Sequence, residues 1–292
     1  MRLALGTAQF GLHYGISNRQ GQTSLPEVRR ILELAHQRGI DTLDTASLYG
    51  DSQAVLGEVD DLAREFRIIT KTLAFDGESV GKEDLKNLDT TFKQSLAELR
   101  RKRVDGLLVH HAADLLAENG ESVFDRLSEY KNSGRVEKIG ASLYTPDEAT
   151  RLLDNFDIDL VQIPMNLMDR RVLQSGILDK LKKADVEIHV RSAFLQGLFF
   201  MSPESIPDSL TKARPFVERI QSRAALLDIS VAALSLAYLE SIPQIDRIIV
   251  GVNNVTQLSE LLGPNGIEID SKEFDGLCCN DEYVINPSKW EL

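Results

Sequence analysis

The sequence predicts an α/β protein built as a single-domain, closed (β/α)8 TIM barrel, and three observations carry that expectation. Short β-type runs alternate with helical patterns eight times along 292 residues, a period and length that suit an eight-unit parallel barrel. The runs are apolar at nearly every position, as parallel strands buried on both faces are. An open doubly wound sheet is the alternative, but no G-x-G-x-x-G follows the first run and no Walker sequence occurs.

The elements follow in order. LALGTA (3–8) is the first strand. A helix opens at Ser24-Leu-Pro-Glu27, which reads as a capping box, carries Val28, Ile31, Leu32 and Ala35 on one face, and stops at Gly39. IDTLDTA (40–46) is the second strand, 52–64 the second helix and FRIITKT (66–72) the third strand. Leu85, Leu88, Phe92, Leu96 and Leu99 mark a long amphipathic helix. VDGLLVH (104–110) is the fourth strand, 121–132 the next helix and VEKIGAS (136–142) the fifth strand. Thr145-Pro-Asp-Glu148 caps another helix, with proline where its missing N–H costs nothing. IDLVQIP (158–164), VEIHVRS (186–192) and DRIIVG (246–251) complete the eight, with helices at about 171–183 and 230–240. An insertion at 196–228 holds an extra helix, and an irregular segment from about 265 is expected to cover a barrel end.

Composition narrows the function classes. The formal charge is −12, from 33 basic and 45 acidic residues, which disfavours a nucleic-acid surface. The basic cluster RRKR (100–103) reads as the cationic end of a helix. Cys278 and Cys279 are adjacent and form no C-x-x-C pair, so a reducing cytoplasm is the expected setting. The N-terminal apolar run is broken by Gly6 and Gly11 and is too short for a signal core, and no uninterrupted membrane-spanning stretch follows.

Active sites of parallel barrels lie at the C-terminal strand ends. The second strand ends near Asp44, the third near Lys71 and the fourth near His110, with Tyr49 on the loop after Asp44. Singly, each has a bland explanation: a turn-capping acid, a solvated lysine, a structural histidine, a packing phenol. At successive strand ends of one mouth they converge on a shared site. His111, on the other side of the chain from His110, takes no catalytic role. The cluster suits proton donation to a developing alkoxide. A free phenol is a weak acid near pH 7, and a neighbouring ammonium held by a carboxylate is expected to lower its pKa. An imidazole can orient the carbonyl. The cluster holds no reductant, and no metal-ligand spacing such as H-E-x-x-H occurs, so a hydride must come from a bound cofactor.

At these residues the sequence resembles the aldo-keto reductase family. The resemblance runs through LGTAQFG (5–11), DTASLYGDS (44–52), ITKT (69–72), LLVHH (107–111), IGAS (139–142), VQIPMN (161–166), SAFLQGL (192–198) and VGVNN (250–254), in order. It implies a barrel that binds NADP(H) without a Rossmann domain and passes hydride to a small-molecule aldehyde or ketone. By the resemblance, Tyr49 matches the proton donor, Lys71 and Asp44 the pair that tunes it, and His110 the carbonyl-orienting residue. Gln162 and Ser142 match carboxamide-holding positions, Thr7 lies beside the cofactor, and Ser192 with the segment after Gly251 matches the phosphate region. Several positions depart from the pattern. Arg191 stands where a tyrosine often stacks on the nicotinamide, Leu143 replaces a common asparagine and Gln53 a frequent glutamate. The segment 251–260 lacks the cation that usually grips a 2′-phosphate; Asn253, Asn254 and Gln257 offer hydrogen bonds without charge. The family favours NADP(H), with NAD(H) as the alternative. The N-terminal hairpin that plugs many such barrels is expected to be short or absent. Two other functions compete with the reductase: a Schiff-base lyase using Lys71, and a cofactor-binding barrel that senses redox state and regulates a partner.

Overall fold

Eight parallel strands close on themselves: β1 (Leu3–Gly6), β2 (Thr42–Asp44), β3 (Arg67–Lys71), β4 (Val104–Val109), β5 (Val136–Ser142), β6 (Leu160–Pro164), β7 (Glu187–Arg191) and β8 (Arg247–Gly251). Each pairs with the next and β8 returns to β1, so the fold is the expected (β/α)8 barrel. The computed structural model describes residues 2–75, 77–263 and 268–291.

The register builds a staircase. Asp44 faces Ile69, so Lys71 lies two residues further along β3; Lys71 faces Leu108, so His110 lies two further again. This is the stagger of a tilted barrel. Because side chains alternate along a strand, residues two apart share a face. Ile69, Leu108 and Leu160, each two before Lys71, His110 and Gln162, form an apolar cluster of their own. They are the floor on which the polar side chains stand. The larger core lies outside, between strands and helices, where Val28, Ile31, Leu32 and Ala35 of the helix Leu25–Gln37 are buried as their spacing requires.

The fifth strand has its predicted bounds and the other seven are shorter than predicted; several helix details differ as well. Ser24 makes no side-chain cap. Glu27 instead reaches across to accept from the backbone N–H of Val255 at 2.7 Å and pairs with Arg30. The capping box at Thr145 does form, with Thr145 Oγ1 accepting from Glu148 N at 3.2 Å and Glu148 accepting from Thr145 N at 2.9 Å. The second helix breaks at Val59 into Ser52–Glu58 and Asp60–Ala63. The helix at 171–183 breaks at Gly176, whose φ of 72° lies in the left-handed region. RRKR lies beyond the end of the helix Lys82–Glu98 rather than on its last turn; Arg101 donates to Ala63 O.

The insertion contains three short 3-10 turns and the helix Arg214–Leu226, tied down by Gln221 donating to Phe199 O and Met201 O. Within the C-terminal segment, which begins at 264–267 outside the described residues, short turns hold 271–289, and Pro287 and Ser288 reach the rim of the barrel mouth. No single helix among the described residues is long and apolar enough to cross a membrane.

Candidate active site

The C-terminal ends of the strands open into a cleft of 1360 Å³. Asp44, Tyr49, Lys71 and His110 all line it, as do Thr7, Ser142, Gln162, Arg191, Ser192, Gly251, Asn253 and Gln257. Of the residues singled out from the sequence, Asn254 is not on the wall. Its side chain caps the helix Val255–Leu261 by accepting from Gln257 N at 2.9 Å.

Tyr49 is placed by two glycines. The loops after β1 and β2 cross so closely that a Cβ on Gly11 would lie 1.9 Å from Tyr49 O, and one on Gly50 2.5 Å from Gly11 O. Gly50 also takes φ 53°, a conformation costly for a side chain-bearing residue. Ser52 locks the crossing from beneath, its hydroxyl proton shared between Thr7 O at 2.9 Å and Thr7 Oγ1 at 2.8 Å. Thr7 Oγ1 in turn donates to Asp44 O at 3.0 Å. Gln53 turns into the wall, where it donates to Thr70 Oγ1 at 2.6 Å.

Lys71 and Asp44 form a buried ion pair with Nζ 2.7 Å from Oδ1. The ammonium also donates to Thr45 O at 3.0 Å. The second carboxylate oxygen of Asp44 accepts from Gln162 Nε2 at 2.7 Å. Gln162 therefore spends an amide N–H on the pair. Lys71 Nζ stands 4.9 Å from the centre of the Tyr49 ring, a cation–π contact. The ring of His110 meets Tyr49 edge-on, with centroids 6.2 Å apart.

The electrostatics differ from expectation in one respect. The Tyr49 phenol is pushed above its ordinary pKa, first by desolvation and then by the Asp44 carboxylate; Arg191 pulls it down. The predicted acidification by Lys71 is outweighed here by desolvation and by the Asp44 carboxylate. Burial lowers the pKa of Lys71, and Asp44 opposes that shift. His110 is lowered to about 3, by desolvation first and by Lys71 and His111 next. It is neutral at pH 7, and its Nδ1 is buried without a partner.

Sequence reasoning missed part of the wall. Tyr14, Tyr144, Gln9, Phe194, Phe200 and Glu260 also line the cleft. Tyr144 is fixed by Glu148, which accepts from its backbone N–H at 2.6 Å, and the Arg191 guanidinium stacks 4.5 Å from its ring centre. Arg191 also donates to Leu143 O at 3.0 Å and Ser192 Oγ at 3.3 Å. His111 packs edge-on between His110 and Tyr144. An aromatic residue two positions past Ser142 was the signal available for Tyr144. After β7, Ser192, Leu195, Gln196 and Gly197 all take positive φ. That strained run meets the first loop closely enough that a Cβ on Gly197 would lie 1.9 Å from Ser17 Oγ. Strain of this kind gathers at ligand sites. Among the described residues no group of His, Cys, Asp or Glu could hold a metal ion.

With the barrel and the cluster at its mouth described, comparison with known proteins places the chain in a family. The profile of the Aldo/keto reductase family matches residues 2–277, and the chain belongs to that family. Among solved structures it is similar to PA4992 of Pseudomonas aeruginosa, provisionally described as an aldo-keto reductase, at 22% identity over 89% of this chain and 88% of that one, with a TM-score of 0.67. It is also similar to the aldo-keto reductase AKR11C1 of Bacillus halodurans in its holo form, at 18% identity over 94% and 89% of the two chains, with a TM-score of 0.73. At these identities the structures speak for the fold alone. A search of the curated proteins found no match. Family and fold together support a carbonyl oxidoreductase in general terms.

Proposed function

We propose that this chain reduces an aldehyde or ketone to an alcohol with a nicotinamide dinucleotide, using Tyr49 as the proton donor. The observation that carries the reading is the convergence of Tyr49, the Lys71–Asp44 pair and a neutral His110 on one wall of a long cleft. The wall suits a dinucleotide. The free carbonyl oxygen of Gln162 and the Ser142 hydroxyl can hold a carboxamide, while Thr7, Ser192 and the turn after Gly251 flank the path beyond. Arg191 offers a flat cation that can stack on a ring or meet a phosphate. When bound there, the nicotinamide supplies the hydride.

The chain's own residues do the rest. His110, neutral and with an unpartnered Nδ1, is ready to donate a hydrogen bond to a carbonyl oxygen and fix its direction. Tyr49 then gives its proton to that oxygen as negative charge develops. A phenol with a raised pKa is still a stronger acid than an alcohol, so the transfer to a developing alkoxide runs downhill. The phenolate left behind faces Lys71 across its own ring and is reprotonated from solvent. Burial and Asp44 keep Tyr49 protonated beforehand, which favours reduction over the reverse oxidation, where a phenolate must act as base. Lys71 is engaged as an ammonium with two acceptors, the wrong state for a Schiff-base nucleophile.

The test is a panel of aldehydes and ketones with NADH and with NADPH, followed by loss of the reduced-nicotinamide absorbance. Turnover of at least one carbonyl is expected. Failure of every carbonyl with both dinucleotides, or a borohydride-trapped adduct on Lys71, would overturn the reading.

A further inference from the structure

The cleft runs from the catalytic wall on β2–β4, past Arg191 and Ser192, to the loop and helix after β8. In an eight-stranded ring β8 lies opposite β4. On the reductase reading, a dinucleotide with its reacting ring at Tyr49 and its phosphates by Ser192 places its far ribose near 251–263. That end is lined by Asn253, Gln257, Glu260, Leu261 and Gly263. Among the described residues lining the cleft, the side chains with positive charge are Lys71, on β3, and Arg191, which ends β7 and is turned toward Leu143 O and the Tyr144 ring. The charged group at the β8 end is a carboxylate, Glu260.

Three of the backbone donors there are taken. Val255 N donates to Glu27 at 2.7 Å, Asn253 N to Gln257 Oε1 at 2.8 Å and Gln257 N to Asn254 Oδ1 at 2.9 Å. Asn254 Nδ2 is turned away toward Gln20 Oε1. Meanwhile Asn253 Oδ1 is buried with no partner. An orphaned acceptor and a carboxylate both call for a donor. A ribose 2′-hydroxyl supplies one. A 2′-phosphate brings acceptors and about two negative charges near neutral pH, and it would need a cation in place of Glu260.

We propose that the β8 end of this cleft selects NAD(H) over NADP(H), with Asn253 and Glu260 as the discriminating side chains and Glu27 closing the backbone donor of Val255. The inference rests on the reductase reading and reverses the preference for NADP(H) that the family resemblance implies. It makes the adenosine ribose the point of discrimination and leaves the reacting end unchanged.

Calorimetric titration of the purified chain with NADH and NADPH tests it without turnover. NADH is expected to bind at least about tenfold more tightly, since a like charge set against the phosphate is penalised. The variant Asn253→Lys/Glu260→Gln is expected to weaken NADH and strengthen NADPH binding, so that the ratio narrows or inverts. Equal affinities, or tighter NADPH, would overturn the selectivity and leave the reductase reading standing; an NADPH preference that disappears in Arg19→Ala would locate the missed cation beside Gln20. Binding of neither dinucleotide would remove the reductase reading and this inference together.

Discussion

Asp44→Asn isolates the energetics of the buried ion pair. The substitution keeps the shape and leaves the Lys71 ammonium, which is 2% exposed, without its counter-charge. At 2.7 Å, the lost attraction is roughly 6 kcal/mol at an effective dielectric of about 20. The folded protein has an escape: Lys71 can release its proton. For a lysine with an unfolded pKa near 10.4, a neutral amine at pH 7 costs about 4.6 kcal/mol, and at pH 9 about 1.9 kcal/mol. The smaller figure wins, so the destabilisation is expected at about 3–5 kcal/mol at pH 7. The sign of its pH dependence follows. In the variant, Lys71 has a folded pKa below its unfolded one, so the unfolded chain binds more protons below pH 10. The variant therefore regains stability relative to the parent as pH rises, by up to about 1.4 kcal/mol per unit. Urea denaturation followed by circular dichroism at pH 7 and pH 9 measures both numbers. A loss below about 1 kcal/mol at pH 7, or one that is the same at both pH values, would refute a charged, buried pair.

Further expectations concern the wall around that pair. Gly11→Ala should displace the Tyr49 loop, since its Cβ would overlap Tyr49 O; turnover should fall by about tenfold or more while the barrel persists, and an unaltered rate would show the crossing to be slack. His110 holds a pKa of about 3 against 6.5 when unfolded, so the native state gains stability as pH rises between those values and loses it as pH falls. His110→Gln should flatten the stability–pH curve in that window by up to about 1.4 kcal/mol per unit, and an unchanged slope would contradict a neutral imidazole. Asn254→Ala should cost about 1 kcal/mol in thermal or urea stability through loss of the helix cap, with the NADH/NADPH binding ratio unchanged; a shift in that ratio would place Asn254 at the ribose after all.

Much of the fold and the candidate site was legible in the sequence for one reason. Strand ends are marked by where an apolar run stops, and the barrel turns those ends toward one mouth. Asp44, Lys71 and His110 could therefore be placed together from spacing alone, and all three line the cleft. What spacing misses is who reaches whom across the ring. Glu27 looked like half of a capping box for its own helix, yet it closes the donor of Val255, far along the chain. Gln162 was assigned to a carboxamide, and half of its amide is spent on Asp44. Tyr144 and Glu260 join the wall through loop and helix geometry that no periodicity encodes. The phenol's pKa was misjudged because a sequence shows which charges are near but not how water is excluded, and desolvation is the larger effect.

Tyr49→Phe bears most directly on the claim that a phenol at the barrel mouth donates the proton. The ring, its contact with Lys71 and the cofactor path remain, and the hydroxyl alone is lost. With whichever carbonyl the parent reduces best, kcat should fall by roughly 100- to 10,000-fold while the affinity for the dinucleotide is kept. A variant that turns over at the parental rate would show that the proton comes from elsewhere.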